Sequence, residues 1–163
     1  MKHLYKLSKM QLASVPTSFV VALLVVAALG FADAAYLTIE HYQGVIPPCS
    51  VVSGCETVLT SSYSLILGIP VSLLGALYYL LIAVGAFAYI DTKKTAILKW
   101  TLSITILGLL MSLWFIFLQA FVIKAWCLYC LGSAASSIIL FILAGVVFKK
   151  YSVKSEAMLE NEA

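Results

Sequence analysis

"LILGIPVSLLGALYYLLIAVGAFAYI", residues 65 to 90, contains no charged side chain and identifies the solvent this chain is built for. Crossing the hydrocarbon core of a bilayer takes roughly 20 apolar residues in a helix, and this stretch is longer than that. Residues 100–123 and 125–148 behave the same way, with Lys124 alone between them. A fourth run, residues 15–39, is interrupted only by Asp33. Of the 163 residues, 63% are hydrophobic and 10% charged, more apolar surface than a soluble domain of this size can bury. The pattern predicts an all-α membrane protein, a four-transmembrane-helix bundle with one long loop between its first and second helices.

The charges orient that bundle. The net charge is +3, and every basic residue is a lysine. Lys2, Lys6 and Lys9 precede the first apolar run, Lys93, Lys94 and Lys99 lie between the second and third, and Lys149, Lys150 and Lys154 follow the fourth. Only Lys124 falls on the opposite side. Such an excess marks the cytoplasmic face, so the expected protein is a multi-pass cell-membrane protein with both termini cytoplasmic and its long loop extracytoplasmic. Residues 1–14 form a cytoplasmic lead, 15–148 the membrane domain, and 149–163 a polar cytoplasmic tail expected to be disordered. No basic stripe interleaved with aromatics is present, which excludes a nucleic-acid partner; the surrounding partner is membrane lipid. Basic residues ahead of Phe19–Leu29 and "ADA" at 32–34 also fit a cleaved signal peptide. The apolar character continues past that point through "AYLTI", as it would in a spanning helix, and cleavage would leave the other three helices oriented as before.

The loop reads "HYQGVIPPCSVVSGCETVLTSSYS" over residues 41–64. Gly44, Pro47, Pro48 and Gly54 break its first half, whereas "ETVLTSSY" after Cys55 suits a short interfacial helical piece. The second spanning helix is expected from near Ser64, with Pro70 in its first two turns, where a break costs least. Gly68, Gly75 and Gly85 are expected to let neighbouring helices approach closely. The connections at 91–99 and 124–126 are short, which makes the helices they join antiparallel neighbours.

All four cysteines fall on the extracytoplasmic side: Cys49 and Cys55 in the loop, Cys127 and Cys130 at the outer start of the last helix. Disulfides persist in that compartment. Cys127 and Cys130, three apart at a helix start, share a face, and a cysteine placed there gains from the unsatisfied N–H groups and positive end of the helix. The thiolate is the attacking species in exchange. Two adjacent dithiol pairs, one in a mobile loop and one at the membrane surface, suit a relay of electrons from soluble proteins into the bilayer. A lipid-soluble quinone, menaquinone or ubiquinone, would match it, taking the two electrons and two protons that one dithiol releases. Three other readings of the cysteines stay open: inert buried thiols, a four-cysteine zinc site, whose usual spacings fit poorly here, and a structural staple. The expected metal content is none.

The stretch "CSVVSGCETVLTSSYSLILGIPVSLLGALYY", followed some seventy residues later by "CLYC" opening the last helix, resembles the vitamin K epoxide reductase family, most of all its prokaryotic members. Cys49-x5-Cys55, "SSY" at 61–63, "GIP" at 68–70 with Gly75 behind it, Cys127-x-x-Cys130 and "DAAYLTIEHY" at the end of the first run carry the likeness, over about residues 15 to 148. The resemblance implies a four-helix bundle enclosing a quinone near its outer end. It implies that Cys49 meets a soluble partner, that Cys55 exchanges with Cys127, and that Cys130 lies nearest the quinone. A polar residue at Ser61, or Ser62 in the alternative register, would hydrogen-bond near these cysteines. Many prokaryotic members carry a fused thioredoxin-like domain after the last helix; only 15 residues follow Phe148 here, so the expected partner is a separate extracytoplasmic thioredoxin-like protein.

The function so implied is a quinone-dependent membrane thiol–disulfide oxidoreductase that reoxidises that partner and supports disulfide formation. Reduction of a quinone or its epoxide as the main role uses the same residues. A non-catalytic membrane protein with a stapled or metal-binding outer face is the alternative of another class. Further cofactor-binding candidates are Tyr63, Trp114 and Phe117, which with Tyr78, Tyr79 and Trp126 serve equally as packing or interfacial aromatics. Asp33, an ionisable group in an apolar run, is a candidate for proton handling or site shaping, or simply reaches water. Glu40 and His41 are expected to be solvated.

Overall fold

The structure, a computed structural model, describes residues 15–48 and 54–160. Its spanning helices are α1 (Thr17–Gln43), α3 (Val71–Thr92), α4 (Thr95–Phe117) and α5 (Leu128–Glu160). Between α1 and α3 lie the short helix α2 (Cys55–Leu59), a 3-10 turn at Ser62–Ser64, and strands β1 (Leu65–Ile66) and β2 (Ile69–Pro70). Each long helix packs mainly against two neighbours, in the cyclic order α1, α3, α4, α5. Four segments are long and apolar enough to cross a membrane, Thr17–Gln43, Val71–Thr92, Ala96–Ile123 and Leu128–Lys149.

The inward faces carry Leu23, Ala27, Ile82, Ala86, Leu102, Leu140 and Val147, all within one buried cluster. The outward faces are just as apolar: Leu29, Val84, Phe87, Trp100, Leu110 and Ile142 are all exposed. A helix that is hydrophobic all round but buried on one side only needs hydrocarbon on the other. The protein is therefore a multi-pass membrane protein. Small residues set the spacing inside the bundle. A side chain at Gly30 would collide with the Tyr79 ring, one at Gly85 with Thr101, and one at Gly108 with Tyr78 and Ser137.

Three boundaries differ from the sequence reading. Helix α3 starts at Val71, not near Ser64, because residues 65–70 fold as a two-residue hairpin with Leu65 opposite Pro70 and Ile66 opposite Ile69. Leu67 and Gly68 hold φ of 53° and 81°, the left-handed pair that a tight hairpin turn needs. Gly68 is thus a turn residue with open space around it, not a helix-packing glycine. Pro70, which has no N–H to give, then caps the start of α3. At the other end, α5 continues to Glu160, through most of the tail expected to be disordered. Helix α1 runs unbroken across residues 32–34 and ends at Gly44, in the left-handed conformation typical of a helix C-terminus.

Candidate functional site

Helix α4 does not end cleanly. Its backbone widens into a π-helical turn, Leu118–Ile123, closed by Lys124 at φ 55°. Such turns are rare and concentrate at functional sites. This one contains Gln119, buried to 1% exposure. Its main-chain carbonyl accepts the N–H of Ala125 at 3.2 Å, and its side-chain Oε1 accepts the N–H of Cys127 at 2.8 Å. One residue therefore fastens both ends of the turn that delivers the chain into α5.

Cys127 immediately precedes α5 and occupies its N-cap. Its carbonyl accepts the first intrahelical bond, from Leu131 N–H at 3.0 Å. Its Sγ accepts the N–H of Cys130 at 3.3 Å, the role a serine or aspartate oxygen plays at most N-caps. The Cys130 side chain hydrogen-bonds to the same sulfur and, with the N–H groups of Cys130 and Tyr129, holds the Cys127 thiol below the usual thiol range. Burial and the negative charge of Asp33 oppose this. The cause is local: a sulfur on the positive end of a helix is easier to ionise.

The loop reaches this turn through a close approach. Gly54 lies against it so tightly that a Cβ there would sit 2.6 Å from the Trp126 carbonyl oxygen and 2.7 Å from its nitrogen. Cys55, the next residue, opens α2 and is buried beside Cys127 and Val58 in one small cluster, with Leu59, Ile123, Ala125, Tyr129 and Cys130 packed around it. Cys55 is disulfide-bonded, whereas Cys127 and Cys130 are free thiols. Cys49 lies outside the described residues.

Beside this cluster the bundle encloses a cavity of about 670 Å³. Cys130 lines it and Cys127 does not. Its walls are mainly apolar, among them Leu37, Ile104, Met111, Phe115, Ile123 and Ala134. Hydroxyls interrupt them. Tyr78 Oη pairs with Ser137 Oγ at 3.2 Å, and Tyr79 Oη donates to the Ser133 carbonyl, so two tyrosines of α3 are pinned to α5 in the cavity wall. A planar, apolar molecule with carbonyl acceptors fits such a lining, which offers hydroxyl donors next to a thiol.

The remaining candidates divide. Ser61 and Tyr63 line the cavity; Ser62 is exposed and does not. The Ser61 hydroxyl donates to the Val58 carbonyl at 2.7 Å, closing off α2 rather than bonding to a sulfur. Trp114 and Phe117 stack on each other at 6.1 Å on the outer surface, 54% and 47% exposed, and are not part of the cavity. Asp33 is not in its lining either, although its charge acts on Cys127, and one of its buried oxygens has no hydrogen-bond partner among the described residues. Glu40 and His41 both line the cavity; His41 is exposed, as expected, whereas Glu40 is half-buried and its Oε2 has no hydrogen-bond partner among the described residues. After Gly44 the Val45 N–H returns to the Glu40 carbonyl at 3.0 Å, and Val45, Ile46 and Pro47 join the same lining. Among the described residues, no group of three or more His, Cys, Asp or Glu side chains is gathered as a metal site would be.

Gln119 was not singled out from the sequence. A lone glutamine inside the apolar run 100–123 was its only signal, and an uncharged amide in a spanning segment asks for a partner just as a charge does. Tyr78 with Ser137, and Tyr79 with Ser133, become informative only once α3 and α5 are side by side.

A comparison with curated proteins gives no match. The model of the vitamin K epoxide reductase family matches residues 21–145, from the first turns of α1 to within α5, and so spans both Cys55 and the C-x-x-C. The chain belongs to the vitamin K epoxide reductase family, and with its four spanning helices it is a membrane oxidoreductase of that family.

Proposed function

We propose that this protein is a quinone-dependent thiol–disulfide oxidoreductase that reoxidises an extracytoplasmic thioredoxin-like protein. The observation that carries this reading is the division of labour among three sulfurs. Cys55 and Cys127 are buried together, while Cys130, one helical turn from Cys127, lines the adjoining cavity. The lysine distribution supports placing this end of the bundle outside the cytoplasm.

The exchange then runs as follows. A thiolate of the reduced partner attacks the Cys49–Cys55 disulfide, and the partner's second thiol completes its own disulfide, leaving Cys49 and Cys55 reduced. The Cys55 thiolate attacks Cys127 Sγ, the Cys127–Cys130 bond breaks, and Cys130 leaves as a thiolate. Cys49 then attacks Cys55 in the mixed disulfide and releases Cys127, whose cap position favours the leaving thiolate. The state with Cys55 oxidised and Cys127 and Cys130 reduced is the one described here, and it is the state poised to pass electrons on. A quinone in the cavity supplies the acceptor for two electrons and two protons. The apolar wall would limit its contact with water, the hydroxyl left free by the Tyr78–Ser137 bond could donate to it, and Cys130 would be the sulfur it meets.

The test is purified protein in detergent, given a reduced thioredoxin-like partner and a quinone. Partner thiols should be consumed with quinone reduced one for one. Full quinone reduction by Cys130→Ala would overturn the route, and cysteines that hold a single redox state with and without quinone, read by an alkylating mass tag, would overturn the function.

A further inference from the structure

The C-x-x-C turn is held by a residue that no step above uses. Gln119 sits eight residues before Cys127, on a different helix, yet it makes the contact that decides how Cys127 enters α5. Because a backbone N–H only donates, the amide atom facing Cys127 is Oε1, and the orientation of the amide follows from that. Ordinary α-helical continuation of α4 would not bring residue 119 under the turn. The π-helical bonding of Leu118–Ile123 adds room per turn, and the left-handed Lys124 reverses the chain above it. Both features carry a cost: positive φ is unfavourable for a lysine, and a π turn has poorer bonds than an α turn. Gln119 offsets it by accepting from three main-chain donors: its carbonyl takes the N–H groups of Lys124 and Ala125, and its side chain takes that of buried Cys127, where an unpaired N–H would be costly.

We propose that Gln119 is a positioning residue that clamps Cys127 as the N-cap of α5, so that the sulfur of Cys127, not that of Cys130, takes the helix N-terminus. With its own N–H engaged by Gln119, Cys127 keeps the cap conformation in which Sγ faces the N–H of Cys130 at 3.3 Å. The two cysteines are thereby made unequal. Cys127 is stabilised as the thiolate that is released by the loop cysteine and re-forms the disulfide, and Cys130 is left to face the cavity. Among the described residues, the titratable side chains acting on Cys127 are Cys130 from α5 and Asp33 from α1; Tyr129 contributes its backbone N–H, and the disulfide-bonded Cys55 of α2 packs beside it. Gln119 itself is neutral, so it steers the pair by geometry.

The proposal deepens the function above, but its test needs neither quinone nor partner, so the two can fail separately. In full-length protein carrying Cys49→Ser and Cys55→Ser, only Cys127 and Cys130 contribute a thiolate absorbance, which is followed against pH below the range where tyrosines ionise. Gln119→Met keeps the length and removes the acceptor. Its first thiol midpoint is expected to rise by about one pH unit, and in the otherwise wild-type chain the Cys55-to-Cys127 exchange should slow by about tenfold. Gln119→Asn keeps the neutral amide but withdraws the acceptor by one methylene, so it should fold as wild type and move midpoint and rate in the same directions as Gln119→Met. A wild-type midpoint and rate in Gln119→Met would overturn the proposal. Should Gln119→Met fail to fold, a wild-type midpoint and rate in Gln119→Asn would overturn it equally, since the shortened side chain no longer reaches Cys127 N–H.

Discussion

Around Ile82, Leu102 and Leu140 the four spanning helices interlock through a large apolar cluster, whereas Cys127 shares with Cys55 and Val58 a much smaller one. The first region is repetitive, with alanines and glycines admitting bulky neighbours, and its only specification is volume. The second is irregular: a π turn, a left-handed lysine, a glycine pressed on backbone, and a glutamine spent on two N–H groups. Packing alone can hold helices together, since any close-fitting apolar residue contributes. Sulfur exchange needs a particular atom at a particular place, and in this protein polar backbone bonds provide it. The two regions should therefore fail differently.

The largest expected effect is at Cys130. Replacing it with serine should lower quinone reduction by at least about a thousandfold, since the attacking atom itself is lost, with the detergent melting temperature unchanged. Stopped-flow quinone absorbance and a thermal melt measure the two halves. Next is Gly54→Val, whose side chain has no room against Trp126. Displacement of the loop should slow exchange from Cys55 by about a hundredfold, the usual penalty for misplacing a reacting group by about an ångström. Quinone reduction driven by a small dithiol acting directly on Cys127–Cys130 should survive in that variant, and its loss would show that the cavity, not the loop contact, was damaged.

In the apolar region the sign of the comparison reverses. Ile82→Ala should cost about 2–4 kcal/mol of stability, the range for emptying a packed site, while single-turnover exchange at a permissive temperature stays near wild type. Equal loss of both would merge the two regions into one. A gentler probe is pH. The Cys127 thiol lies below the ordinary range, so its thiolate appears at lower pH than in an unconstrained thiol, near 8.5. The rate of disulfide re-formation in the reduced pair should rise with pH and level off below about 8.5, and a midpoint at or above that value would remove the role of the helix cap. The smallest expected effect is at the lipid face: Trp114→Leu with Phe117→Leu should leave exchange and quinone reduction within about twofold of wild type, as surface substitutions do.

Much of the apolar region was legible in the chain, because a spanning helix is a local property. Charge-free runs announce it without reference to any neighbour, and residues 65–90, 100–123 and 125–148 did so. The hairpin at residues 65–70 was less visible. Its residues are as apolar as the helix that follows, and the turn at Leu67 and Gly68 differs only in backbone conformation. Three of the four cysteines, Cys55, Cys127 and Cys130, lie together as their spacing and the lysines around them suggested, and Cys49 lies outside the described residues. The rest of the site was not legible. Ser61 lines the cavity that Cys130 also lines, but its hydroxyl bonds to the Val58 carbonyl and not to a sulfur, while Trp114 and Phe117, plausible pocket aromatics by composition, lie on the outer surface.

The sequence by itself determined that this chain lives in a membrane, that it has four spans, and that Cys127 and Cys130 open the last of them. Each of these follows from hydropathy, charge and spacing, which act over one or two turns of helix. Only the tertiary structure decided which sulfur lies with the loop and which lines the cavity. It also decided that Tyr78 and Ser137 meet across two helices, and that Gln119 holds the turn between them. Those facts depend on the rotation of each helix about its own axis. In a helix apolar on every side, that rotation is set by the neighbours it packs against.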